Sequence, residues 1–188
     1  MKKEIEKGTV SMAQAAVCIV MGSASDWPIM QGAAEMLGRF HIPYEVTVSS
    51  AHRAPQRTAA VAREAAQRGV QVIIAGAGGA AALAGVIAAE TTLPVIGVPI
   101  DSSSLQGLDA LLATVQMPPG VPVATVAIGK AGATNAAILA AQIVALYDPE
   151  VAARLRQYKT ELVSGVERAA ATLQEQLQVH RDDASISR

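Results

Sequence analysis

His52 and Arg53 stand side by side in Ser49-Ser50-Ala51-His52-Arg53-Ala54-Pro55, the stretch of the chain best equipped for chemistry. An imidazole titrates close to neutral pH, so it can give a proton and take one back under working conditions. The adjacent guanidinium offers a planar fork for a phosphate or carboxylate, and Pro55 stiffens the segment that presents both. The other two histidines lack such company: His41 falls between a helix end and a strand, and His180 lies in a polar tail. Gly22-Ser23-Ala24-Ser25-Asp26 brings hydroxyls and backbone N–H groups to a helix start, where the dipole and orphan donors favour an anion such as phosphate; a plain helix cap is the other reading. Gly76-Ala77-Gly78-Gly79-Ala80 leaves backbone N–H groups bare enough to hold a carboxylate. With Ala81 it also reads G-x-G-x-x-A, and Asp101 lies near the end of the next strand. That pattern is similar to a dinucleotide fingerprint, yet it follows the third predicted strand and not the first. Lys130, between Gly129 and Gly132, suits an anion contact or a solvated helix start equally well.

These three loops can act together only if they leave parallel strands at the same end of one sheet, and the rest of the sequence predicts that arrangement. Short β-branched runs alternate with Ala/Leu-rich stretches, the signature of βα units. Strands are expected at Val17–Met21, Tyr44–Val48, Val70–Ala75, Val95–Val98 and Val123–Ile128. Helices are expected from Asp26, as N-cap, to about Phe40, then over Pro55–Arg68, Ala80–Glu90, Leu105–Val115, Ala131–Leu146 and Pro149 to about Gln178. The fold class is therefore α/β: a three-layer α/β/α sandwich on a five-stranded parallel sheet, closed by a long C-terminal helix. Residues 1–15 read as a flexible leader, 16–178 as one catalytic domain and 179–188 as a polar tail. The helix at Ala131–Leu146 has little polar face, which points to subunit contact.

Composition narrows the function. A length of 188 residues suits one domain. A net charge of −1 and an aromatic content of 3% offer no footprint for nucleic acid. Cys18 is the only cysteine, so an intrachain disulfide and a cysteine-based zinc site are excluded, and a reducing cytoplasm is the expected location. The N-terminal stretch lacks the apolar segment of a secretory signal. The most apolar helix contains Asn135 and Gln142, which argues against a membrane span. Neither a G-x-S-x-G elbow nor an exposed thiol supports nucleophilic catalysis.

In order along the chain, MGSASDW, SAHRAP, IIAGAGGAA, PVIGVP and LATVQMPPGVPVATVAIGKAGATNAAILAAQI resemble the N5-carboxyaminoimidazole ribonucleotide mutase family of purine biosynthesis, from about Val17 to Tyr147. The resemblance implies a flavodoxin-like sheet, a homo-octamer with shared active sites, and a C-terminal helix that reaches a neighbouring subunit. It implies a small-molecule substrate, an aminoimidazole ribonucleotide whose N5-carbamate loses CO2 and regains it at C4, with no cofactor, metal or ATP. His52 would be the catalytic acid and then base, and Ser50 would orient the base or the migrating carboxyl group. Ser23, Ser25 and Arg53 would hold the 5′-phosphate and Asp26 the ribose hydroxyls. Gly76, Ala77, Gly78 and Gly79 would cradle the carboxylate or CO2. Where the family usually reads GGAAHLPG, this chain has Ala82 and Ala84 in place of the histidine and proline. Two alternatives remain: a carboxylase that takes free CO2, and a catalytically weakened nucleotide-binding homologue.

Overall fold

β-Branched residues pack well on a pleated surface buried on both sides, and three such runs build the centre of the sheet. A computed structural model describes residues 14–186, with side chains through residue 178; the leader falls almost wholly outside these bounds. The strands are β1 (Val17–Met21), β2 (Tyr44–Val48), β3 (Val72–Gly78), β4 (Val95–Ile100) and β5 (Ala124–Thr125), all parallel in the order β2-β1-β3-β4-β5. Helices α1 (Trp27–Arg39) and α5 (Gly129–Val144) cover one face, where Met30, Leu37 and Phe40 meet Ile19, Ile74 and Val98. On the other face α2 (Pro55–Glu64) and α3 (Leu83–Glu90) bury Ala62, Leu83 and Ile87 against Val20, Ile73 and Val95. Helix α4 (Leu108–Val115) precedes β5, and α6 (Pro149–Ile186) closes the chain.

Small residues let the layers approach closely. A Cβ on Gly132 of α5 would lie 1.7 Å from the Ala127 carbonyl oxygen, and one on Gly76 of β3 would lie 2.4 Å from the Met30 sulfur. Cys18 is fully buried between β1 and its helical cover; burial, then the nearby Glu45 carboxylate, pushes its thiol up to about 12, so it has no thiolate character at neutral pH.

Several element boundaries differ from the sequence expectation, each for a local reason. Helix α1 is preceded by a 3-10 turn, Ala24–Asp26, whose N-cap is Ser23 rather than Asp26. Asp26 makes no side-chain cap for α1; its carboxylate reaches back to Ser23. Helix α3 starts at Leu83 and not Ala80, because Gly79 (φ 60°) and Ala81 (φ 33°) turn the chain through the left-handed region. Gln106 (φ 52°) and Gly107 (φ 84°) likewise delay α4 from Leu105 to Leu108. Strand β5 is two residues long because Pro122 lacks an N–H and Gly129 (φ 71°) redirects the chain into α5. Pro99 is tolerated in β4 since its missing N–H faces the side where β5 has already ended. Helix α6 continues past Gln178 to Ile186; the sequence there contains neither Gly nor Pro to stop it.

The first turns of helix α6 are tied to the end of α1. The Tyr158 ring meets Phe40 edge-on at 5.6 Å, the Arg39 guanidinium sits 4.8 Å over the Tyr158 ring and pairs with Glu161, and Arg154 donates to the Phe40 carbonyl at 3.2 Å. Beyond Glu161 the apolar side chains Leu162, Val163, Val166, Leu173 and Leu177 are exposed. So are Tyr44, Val46 and Val48 on the edge strand β2.

Candidate active site

In this strand order the connections after β1 and β3 leave in opposite directions, which opens a crevice at the carboxyl ends of the strands. A cavity of about 550 Å³ occupies that place. Ser23, Ser25 and Asp26 line it from the loop after β1, and Ser50, His52 and Arg53 from the loop after β2. Ala77 and Gly78 enter from the end of β3. Eight of the ten residues expected from the sequence thus face one space.

Gly76 and Gly79 are not among its lining residues. Gly76 lies inside the ladder, paired with Met21 on one side and Val98 on the other, and its bare Cα makes room for Met30. Gly79 turns the chain out of β3. Gly78 is the glycine that matters to the cavity. The Ile73 N–H points to β4, so alternation directs the Gly78 N–H toward β1, two residue pairs past where that strand stops.

The end of the cavity beside β1 and β2 is preorganised by hydrogen bonds within the chain. The Ser23 hydroxyl accepts from the Ser25 N–H at 3.3 Å and from the Ser25 hydroxyl at 2.8 Å, while Asp26 Oδ2 accepts from the Ser23 N–H at 3.0 Å, completing a capping box. Arg53 bridges two loops: its Nε–H donates to the Ser50 hydroxyl at 3.3 Å and its terminal nitrogen to the Gly22 carbonyl at 3.2 Å. Below it the buried Ser49 and Thr58 hydroxyls bond at 2.8 Å and fasten the loop to α2. The His52 imidazole makes no hydrogen bond within the chain among the described residues and is exposed to the cavity.

Burial raises the Asp26 carboxyl above its ordinary 3.8, with the Ser23 N–H and the Arg53 charge offsetting part of the effect. The folded group therefore holds its proton more tightly than the unfolded one. Its ionised form destabilises the fold above the folded pKa, and that penalty disappears below the unfolded value. Asp26→Asn keeps an oxygen for the Ser23 N–H and removes the charge. Its melting temperature at pH 7 is expected to hold or rise while affinity for a sugar phosphate falls; a melting temperature several degrees below wild type would contradict this.

Ala51, Leu83 and Ser102, which the sequence did not single out, also line the cavity, as do Ala81 and Ala82. Ala82 is the N-cap of α3 and offers that helix no side-chain cap, so the departure at this position falls on the cavity wall. Ala84 is buried in the core, where its departure concerns packing. Asp101 and Lys130 are not among the lining residues; Asp101 packs beside Gly107 and Gly129. Among the described residues no cluster of three or more His, Cys, Asp or Glu side chains could hold a metal ion.

Strand order 2-1-3-4-5, with a polar cavity at the β1/β3 switch point, defines a flavodoxin-like α/β protein with its cavity where such folds take small-molecule ligands. Residues 16–164 match the AIR carboxylase family, and the chain belongs to that family. Its relatives include the N5-carboxyaminoimidazole ribonucleotide mutase of Aliivibrio fischeri, 57% identical over 77% of this chain and 90% of the relative. The enzyme of the same name from Pyrococcus horikoshii is 54% identical over 85% and 89%. The crystal structure of Treponema denticola PurE superposes with a TM-score of 0.76 at 30% identity, covering 84% of this chain and 97% of that one.

Proposed function

We propose that the chain is an N5-carboxyaminoimidazole ribonucleotide mutase, moving a carboxyl group from the exocyclic nitrogen to C4 of the imidazole. The observation that carries this reading is the single cavity in which His52 meets an anion site, in a chain more than half identical to mutases over most of its length. The carbamate C–N bond breaks, CO2 forms, and the electron pair left on nitrogen takes a proton from His52. C4 then attacks the CO2, and His52 recovers a proton from C4. Charge and atoms balance with one side chain acting as acid and then base.

In this scheme Ser23, Ser25 and Arg53 hold the 5′-phosphate, Asp26 the ribose hydroxyls and Ser50 the reacting edge. The end of β3, at Ala77 and Gly78, borders the carboxylate. Keeping CO2 beside C4 converts a bimolecular recapture into an intramolecular one. A homo-octamer in the cytoplasm belongs to the same reading. It is supported by the uncovered apolar residues of α6 and β2 and by a single, buried Cys18; no helix among the described residues is long and apolar enough to cross a membrane. Sedimentation of the intact chain tests the assembly.

The activity is tested by supplying either N5-carboxyaminoimidazole ribonucleotide or aminoimidazole ribonucleotide with labelled bicarbonate. The mutase converts the first faster and admits little label. Preference for the second pair would make the protein a carboxylase, and no turnover of either would leave only a nucleotide-binding homologue, weakened at Ala82.

A further inference from the structure

Three serines follow β4, Ser102, Ser103 and Ser104, and they do not share one role. The Ser103 hydroxyl accepts from the Leu105 N–H at 3.2 Å and is spent on the turn. Ser102 lines the cavity, and its hydroxyl makes no hydrogen bond within the chain among the described residues. Its position depends on Gly78: a Cβ there would lie 1.9 Å from the Ser102 oxygen. The bare Cα at the end of β3 thus lets this hydroxyl lie over the strand beside the open Gly78 N–H.

Sheet order fixes which end of a ligand it can meet. Arg53 and the serine hydroxyls of the first loop lie at β2 and β1, and Ser102 enters from β4, on the far side of β3. With strands about 4.8 Å apart, the four strand ends span about 14 Å, enough for an extended sugar phosphate and its base. The wall between Gly78 and Ser102 is otherwise Ala81, Ala82 and Leu83, which carry no polar side-chain atom. Resting on the mutase reading above, we infer that Ser102 is a further substrate-binding residue, its hydroxyl donating to the carboxylate on the imidazole at the end of the ligand remote from the phosphate. A hydroxyl turns about one bond, so it can follow the carboxylate from N5 to C4 without backbone movement.

The test compares wild type and Ser102→Ala for turnover of N5-carboxyaminoimidazole ribonucleotide and for inhibition by ribose 5-phosphate, which has the phosphate but no imidazole. The expected result is a fall in kcat/KM of about tenfold, with ribose 5-phosphate inhibition unchanged. Unchanged kcat/KM would overturn the inference. So would an equal loss toward both molecules, which would mean that the substitution disturbs the site generally. Absence of turnover in the wild type would instead overturn the mutase reading, and this inference with it.

Discussion

His52→Asn is expected to lower turnover by about 10²–10⁴-fold while leaving affinity for the nucleotide within a few-fold of wild type. Asparagine has nearly the reach of histidine and can hydrogen-bond, but it neither gains nor loses a proton near neutral pH. Ser23, Ser25 and Arg53, the groups proposed to hold the phosphate, are positioned by their own hydrogen bonds and owe nothing to the imidazole. Binding and chemistry therefore separate in this variant. Single-turnover kinetics with calorimetric titration of the product checks both halves. Turnover within tenfold of wild type would remove His52 from the mechanism, and a parallel collapse of affinity would make it a binding residue.

The second large effect concerns the fold. Gly132→Ala is expected to cost about 3 kcal/mol or more, at the upper end of overpacking, and to lower the melting temperature by about 6–12 °C. The added Cβ would meet backbone, the Ala127 carbonyl at 1.7 Å, with Val98 at 3.4 Å behind it. No rotamer change relieves such a clash. Helix α5 would have to lift from the sheet, and with it the layer that supports α1. Gly38→Ala is the control: it also lies in a helix, nothing stands within 4 Å, and it is expected to stabilise slightly. Similar melting temperatures for the two variants would show that α5 does not approach the β5 loop as described.

Legibility of the site in the sequence followed chain locality. The loop from Ser49 to Pro55 was readable because His, Arg and Pro adjoin in one segment after a clear strand, and the β1 loop because its hydroxyls precede an evident helix. The sequence points to Asp26 rather than Ser23 as the cap, since the 3-10 turn that separates them leaves no periodic trace. Glycine is depleted in strands, so the glycines that end β3 read as loop in the sequence. What requires them is tertiary: Met30 of α1 lies against Gly76, and Ser102 against Gly78. Ser102 is invisible for the same reason, as nothing in Ser-Ser-Ser says which hydroxyl turns toward a strand one crossover away. The left-handed residues that delayed α3 and α4, Ala81 and Gln106, are not glycines, so composition gave no warning of them.

Trp27 is the only tryptophan in the chain, the residue after Asp26 and the first of α1, and it is 38% exposed. The three tyrosines, Tyr44, Tyr147 and Tyr158, belong to other parts of the fold. Emission from an indole shifts with the polarity and charge around it, and here the one indole follows directly on Asp26, which lines the cavity. A titration of the cavity is therefore expected to be readable by light alone, without a label and without turnover; emission unchanged at saturating product would show that the indole does not sense the cavity.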